Sequence, residues 1–184
     1  MLYTRKGDDG TTKTFACDQR ISKSSIIAEA LGSLDEINSY LGICKVKAKK
    51  EKISLFFSGG LDEIIHSVQK NLFIIQAEIA GSEMTIEDKK IKEIEVLIDN
   101  IEKELPPIKS FFISGGTELA SHFDVARTIA RRAERRVIEV SEEGKTKVSD
   151  ATKAYLNRLS SLLYAFARFA NYKKGIIEDS PDYK

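Results

Sequence analysis

The segment Thr4-Arg5-Lys6-Gly7-Asp8-Asp9-Gly10-Thr11-Thr12-Lys13-Thr14 has the residue types of a phosphate-binding loop. Its glycines let backbone N–H groups approach an anion, and its hydroxyls and Lys13 add donors and positive charge. It is not a Walker A loop. Thr12 stands before Lys13 where that motif requires glycine, and too few residues precede it for the strand that motif follows. The same composition also describes a plain polar terminus.

A second concentration lies at Arg127-Thr128-Ile129-Ala130-Arg131-Arg132-Ala133-Glu134-Arg135-Arg136, with five arginines and no lysine in ten residues. On a helical projection Arg127, Arg131 and Glu134 share one flank of an apolar stripe, with Arg135 just beyond. Arg132 and Arg136 fall on the opposite flank. Guanidinium forks suit phosphate oxygens and desolvated carboxylates better than ammonium groups do. A solvated charge run is the competing reading, although the 45–52 stretch shows that this chain uses lysine for that purpose. Asp35 lies off the apolar stripe of its own helix. Asn157, Ser161, Tyr164 and Arg168 share a face by four-three-four spacing, where surface or capping roles are the ordinary expectation.

Two other features have chemical potential. Glu63-Ile64-Ile65-His66 is one Glu-x-x-His unit, but a di-iron bundle needs two such units and two more glutamates. His122 lacks the spacing, so His66 reads as a flank histidine. Phe111-Phe112-Ile113-Ser114-Gly115-Gly116 places paired aromatics before a double glycine. They read either as core packing or as an edge offered to a flat ligand, with Ser114 or Thr117 as the cap of the next helix.

These residues must be positioned by helices. Ala30, Leu34, Ile37, Leu41 and Cys44 step by four and three, as do Leu61, Ile65, Val68, Leu72, Ile75 and Ile79. Ile91, Ile94, Ile98, Ile101 and Leu105 form a third stripe that Pro106-Pro107 ends. Leu119, Phe123, Ala126, Ala130, Ala133, Val137 and Val140 form a fourth. Tyr155, Leu159, Leu162, Phe166 and Phe169 form a fifth. Each stripe occupies one face at about 100° per residue. The pattern predicts an all-α protein: a five-helix antiparallel bundle over 24–173, behind a loop over 1–23 that has room for a short strand, and before a frayed, flexible tail over 174–184. The whole, 1–184, reads as a single domain.

Composition bounds the partners. The chain has 184 residues, with 29 Lys+Arg against 28 Asp+Glu, giving a net charge of +1. That balance argues against a dedicated nucleic-acid or membrane-surface binder. At 42% hydrophobic the chain can bury a core. Cys17 and Cys44 read as ordinary reduced thiols, too few for a disulfide framework or a four-thiolate zinc site. Without a secretory leader or an 18-residue apolar run, the expected location is the cytoplasm.

Taken in order, four motifs resemble one family. Tyr3-Thr4-Arg5-Lys6-Gly7-Asp8-Asp9-Gly10-Thr11-Thr12 is similar to its N-terminal nucleotide loop, and Gly32-Ser33-Leu34-Asp35-Glu36-Ile37-Asn38-Ser39 to its first-helix motif. Phe111 to Gly116 leads to Val125-Ala126-Arg127 and Arg131 to Arg136. Tyr155-Leu156-Asn157-Arg158-Leu159-Ser160 follows. The set resembles the PduO-type ATP:cob(I)alamin adenosyltransferases, over residues 3–42 and 111–171. Ser114 departs from the family's usual proline, and Ala16-Cys17-Asp18 from a glycine-rich stretch.

The resemblance implies a homotrimer of five-helix bundles with ATP at each subunit interface and cobalamin above it. Thr4, Arg5, Lys6, Gly7, Thr12, Lys13 and Lys23 would surround the triphosphate. Arg131, Glu134, Arg135 and Asn157 would hold ATP from the helices, with Glu134 reaching its Mg²⁺. Arg127 would pair with Asp35 of a neighbouring subunit, and Phe111 would face the corrin ring. The implied reaction is attack of cob(I)alamin on C5′ of ATP with triphosphate leaving, which needs donors aimed at the leaving group rather than a protein nucleophile. A reductase and an adenosylcobalamin-dependent acceptor enzyme are implied as further partners. A helical adaptor and a nucleic-acid-binding bundle are the other classes to be separated from this one. The first leaves the Thr/Gly/Lys terminus unexplained, and the second conflicts with the charge balance.

Overall fold

The computed structural model describes residues 3–14, 20–55 and 58–183. Cys17 and its neighbours Ala16 and Asp18 lie outside them. Five helices carry the fold: α1 (Ile26–Glu51), α2 (Leu61–Ile79), α3 (Asp88–Glu104), α4 (Glu118–Glu143) and α5 (Asp150–Lys173). Each forms where the sequence places an apolar stripe. Every stripe residue of the first, second, fourth and fifth helices is buried.

The helix ends follow local chemistry. Ser25, Thr117 and Ser149 cap α1, α4 and α5, each side chain accepting an N–H three residues on. Such a cap contributes about 1 kcal/mol. Pro106 and Pro107 follow α3 directly, because proline cannot extend a helix.

Packing orders the helices as α2, α1, α4, α5 and α3. Helix α4 lies between α1 and α5, and its small Ala126, Ala130 and Ala133 are fully buried there. Its two flanks therefore meet different surroundings. The Arg132 and Arg136 flank faces α1, where Arg132 pairs with Glu36 and Arg136 with Glu29 at 3.5 Å. The later arginine meets the earlier glutamate, as antiparallel neighbours require. Helix α3 is outermost and buries only Ile94 and Ile101 within its span.

One buried carboxylate ties the bundle at its end. Glu78 of α2 accepts the Ser149 N–H at 2.6 Å and the Thr152 hydroxyl at 2.5 Å. It thereby satisfies donors at the start of α5, where negative charge is favoured.

Two short hairpins add to the sequence reading. Strands β1 (Thr11–Lys13) and β2 (Arg20–Ser22) pair antiparallel, with Thr12 opposite Ile21. Strands β3 (Ser54–Leu55) and β4 (Gly59–Gly60) form a second pair before α2. These are two or three residues long, below the length at which alternation is readable. Over 174–183, which composition reads as a frayed tail, two contacts reach the rest of the fold. Asp179 O accepts the Ile113 N–H at 2.8 Å, and Glu178 pairs with Arg168 at 2.9 Å. Composition misses this because two polar partners remove each other's need for water.

Candidate active site

The N-terminal residues form a cleft of about 400 Å³ lined by Thr4, Lys6, Gly7, Thr11, Thr12, Lys13, Arg20 and Lys23. The β1–β2 pair brings Arg20 beside the loop. Its guanidinium donates to Thr11 Oγ1 at 2.5 Å, to Thr11 O at 2.9 Å and to Lys6 O. Lys23 Nζ donates to Gly7 O at 2.7 Å. A Cβ at Gly7 would come within 3.1 Å of both Lys23 Nζ and Thr11 O, so a side chain there would have to displace the ammonium or the carbonyl by a few tenths of an ångström. Among the described residues the lining holds hydroxyls and cations and no carboxylate, which is the chemistry of an anion site. Asp9 lies outside it. The hydrogen bonds it accepts from Thr11 hold its carboxyl below the usual range.

Of the loop residues expected from sequence, Arg5 alone does not line this cleft. Its backbone has φ +59° and its guanidinium lies 5.5 Å from the Tyr3 ring centre. Thr11 and Arg20 line the cleft and were not among the expected residues. The readable signal was the cation six residues beyond Thr14, across a hairpin too short to recognise.

A second cleft, about 320 Å³, lies on the bundle wall between α4 and α5. Arg131, Glu134, Arg135, Ile138 and Asn157 line it, so the four expected wall residues come together and Ile138 joins them. Glu134 accepts from Asn157 Nδ2 at 3.0 Å, while Arg158 donates to Asn157 Oδ1 at 2.7 Å. Glu95 in turn holds Arg158 at 3.0 Å. Asn157 is thus fixed from both ends.

One turn earlier on α4, Arg127 lines a third cavity of about 580 Å³. Ile108, Phe111, Ile113 and Ala167 give it apolar walls, and Asp124, Tyr164 and Arg168 give it polar ones. Phe112 lines it as well, half-buried, with the Arg168 guanidinium 4.9 Å from its ring centre. Phe111 is 79% exposed. The aromatic pair is therefore split: one ring packs and its neighbour is presented to solvent. Burial pushes the Asp124 carboxyl up, against the hydrogen bond it accepts from Gly115 N. Gly116 has φ +99°, and a Cβ there would lie 2.5 Å from Asn171 Oδ1. The double glycine turns the loop tightly against buried Asn171, whose side chain bonds Thr117 N and Gly115 O.

Asp35 lines a fourth cavity, about 550 Å³, with Lys13, Leu31, Phe73, Gln76 and Met84 among its walls. Lys13 belongs to this cavity and to the loop cleft. The wall cleft and the Phe111 cavity share no lining residue with either. The clefts thus fall into two groups, one joining the loop to Asp35 and the other lying along α4 and α5 from Phe111 to Asn157. Among the described residues, two buried side-chain nitrogens lack a hydrogen-bond partner, Gln76 Nε2 and Arg127 Nε. One belongs to each group.

The expected flank histidine is exposed: His66 lies on the surface of α2. No group of three or more His, Cys, Asp or Glu is placed to hold a metal among the described residues. Among them also, no helix is long and apolar enough to cross a membrane.

The family model described as "Cobalamin adenosyltransferase" matches residues 2–170. The corrinoid adenosyltransferase PduO of Citrobacter freundii is 38% identical over 174 residues, covering 91% of this chain and 49% of that protein. The chain thus spans about half the length of the PduO relatives it matches. A second corrinoid adenosyltransferase of Citrobacter freundii is 35% identical, covering 98% of this chain and 97% of its own. In structure, a variant PduO-type ATP:corrinoid adenosyltransferase from Lactobacillus reuteri, complexed with cobalamin and ATP, superposes with TM-score 0.87 at 28% identity. That match covers 100% of this chain and 97% of the other. The match runs through the loop, both α4 flanks and the Phe111 segment, and the chain belongs to the cobalamin adenosyltransferase family.

Proposed function

We propose that this chain transfers the 5′-deoxyadenosyl group of ATP to the cobalt of cob(I)alamin, with ATP held between two copies of the chain. The carrying observation is the separation of two clefts, a cationic hydroxyl-rich one and an Arg/Glu/Asn wall, which we read as the two halves of one site. A head-to-tail contact joins the loop half of one copy to the wall half of the next. Such a contact closes into a ring when its rotation permits. The family resemblance gives three copies, and Asp35 of one would then reach Arg127 of the next, supplying a partner for its buried Nε.

In the reaction the Co(I) electron pair attacks C5′ and the cobalt–carbon bond forms. The C5′–O bond breaks, and triphosphate leaves with the bonding electrons. Cobalt passes formally from +1 to +3. No protein nucleophile or general base is required. Lys6, Thr12, Lys13 and Lys23 face the leaving group from one copy, and Arg131 from the other. Their donors act most strongly when charge develops on the triphosphate. Arg127 and Arg131 stand four residues apart on α4, so the corrin cavity and the nucleotide wall are offset by about 6 Å. The two ligands are thus presented to each other rather than brought together by diffusion.

Glu134 fits the Mg²⁺ assignment. Asn157 occupies one of its oxygens and orients the other, and Mg²⁺ is commonly held by one or two carboxylates plus substrate phosphates. Mg²⁺ held there would supply charge neutralisation to the triphosphate leaving group. Phe111, exposed at the cavity mouth, would exclude the lower axial ligand of cob(II)alamin, making one-electron reduction to cob(I)alamin easier. A reductant must supply that electron.

The test is anaerobic incubation with ATP, Mg²⁺ and chemically reduced cob(I)alamin. Appearance of the adenosylcobalamin spectrum with stoichiometric triphosphate is the expected result. ATP binding without product would refute the activity.

A further inference from the structure

Arg168 is 5% exposed, although its place on a polar α5 face reads as surface. Its guanidinium has three partners. Nε donates to Glu178 Oε2 at 2.9 Å, Nη2 donates to Pro106 O at 3.1 Å, and the guanidinium carbon lies 4.9 Å from the Phe112 ring centre. Pro106 and Phe112 bracket the segment that carries Phe111. Glu178 belongs to the C-terminal stretch, and the next two residues hold the same segment. Asp179 O accepts the Ile113 N–H at 2.8 Å, and the Ser110 and Ser180 hydroxyls are 2.6 Å apart.

Phe111 thus has a fastened residue on each side and almost no packing of its own. An exposed phenyl ring beside exposed Ile108 and Ile113 gains by collapsing onto apolar surface. What opposes that collapse is the anchoring of its neighbours. We infer that the Arg168–Glu178 pair is a positioning device for Phe111. The C-terminal stretch, through Glu178, sets the height of the aromatic edge in the corrin cavity. A guanidinium is needed because one group must satisfy a carboxylate, a carbonyl and a ring face at once. This rests on the reading of Phe111 given above.

The test compares Arg168→Lys, Glu178→Gln and Phe111→Ala with the unaltered chain at saturating ATP and Mg²⁺. Each is assayed with pre-reduced cob(I)alamin and with cob(II)alamin plus an added one-electron reductant. Electron paramagnetic resonance of cob(II)alamin with ATP reports the four-coordinate fraction. Both clamp variants should lose about tenfold or more with cob(II)alamin and under about threefold with cob(I)alamin, at unchanged KM for ATP. The four-coordinate signal should fall with them. Phe111→Ala combined with Glu178→Gln should be no worse than Phe111→Ala alone, since the pair acts through that ring. Equal losses in the two assays, or an undiminished four-coordinate signal, would overturn the proposal even where Phe111→Ala shows the split. If Phe111→Ala shows no split, the reading of Phe111 fails and the positioning role falls with it. Should Arg168→Lys not fold, Glu178→Gln decides, because it keeps shape and one acceptor.

Discussion

A site assembled from two copies predicts that two inactive variants restore each other. Let one variant lose the loop half, Lys6→Ala with Lys13→Ala, and the other lose the wall half through Arg131→Ala. Removing a donor that stabilises leaving-group charge costs about 3 kcal/mol, or about a hundredfold in rate. Each variant alone should therefore retain about 1% of the original turnover. In randomly mixed rings a site is intact only when its loop comes from the second variant and its wall from the first. In a ring of three that carries both tags, one junction in three meets both conditions, so about a third of the sites recover. The signal is about 30-fold above either parent. The variants carry different affinity tags and are mixed by co-expression, and doubly tagged assemblies are assayed for adenosylcobalamin. Doubly tagged assemblies that stay at the 1% level would refute the shared site. They would place loop and wall in one chain, contrary to the separation of the two clefts.

Arg131→Lys should recover little of the activity lost in Arg131→Ala, because one ammonium does not reproduce a fork. Arg132→Ala should leave KM for ATP nearly unchanged, since Arg132 is paired with Glu36 on the opposite flank; equal ATP defects at the two positions would disprove the flank assignment. Glu78→Ala should destabilise the fold by about 3 kcal/mol, read as a lower denaturant midpoint, because it strands the buried Thr152 hydroxyl and the Ser149 N–H. Turnover per folded molecule should persist, since Glu78 lines none of the clefts described. Burial pushes the Cys44 thiol up to about 12 from 9.0. Below pH 9 it is protonated folded or unfolded; as pH rises from 9 towards 12 only the unfolded thiol ionises, so its stability contribution is lost across that window. Cys44→Ala should flatten the alkaline fall in stability, and an unchanged slope would count against it.

The helices were legible because burial leaves a periodic mark. Leu34, Ile37 and Leu41 could only be contiguous on a helix, and all three are buried. The α4 flanks were legible for the same reason, since a projection sorts residues around an axis. What surrounds each flank was not legible, because it depends on which helix packs there. The α1 glutamates claim Arg132 and Arg136, and no local pattern announces it. Arg168 shows the same limit more sharply. Its spacing with Asn157 and Tyr164 gives it a face, but its burial depends on Pro106, Phe112 and Glu178, which come from two other segments. Arg20 was missed because a three-residue strand pair brings it to Thr11, and two of its acceptors are the Lys6 and Thr11 carbonyls. Carbonyl acceptors carry no sequence signature.

The arginines of α4 illustrate why residue type alone underdetermines function. All five satisfy the composition argument for anion binding, yet two of them are engaged with glutamates on the neighbouring helix or on α4 itself. Arg135 bonds back to the Arg131 carbonyl at 3.1 Å while still lining the wall cleft. Arg127, Arg131 and Arg135 differ from Arg132 and Arg136 in lining clefts rather than pairing with a glutamate of α1 or of α4. For Arg127 the difference has a physical cost: its buried Nε is left without an acceptor, and a desolvated donor in that state costs about 1–3 kcal/mol. A fold that retains such a group in every isolated copy is more stable when a second copy or a ligand supplies the acceptor. Under the shared-site proposal, assembly and substrate binding would draw on the same arginine.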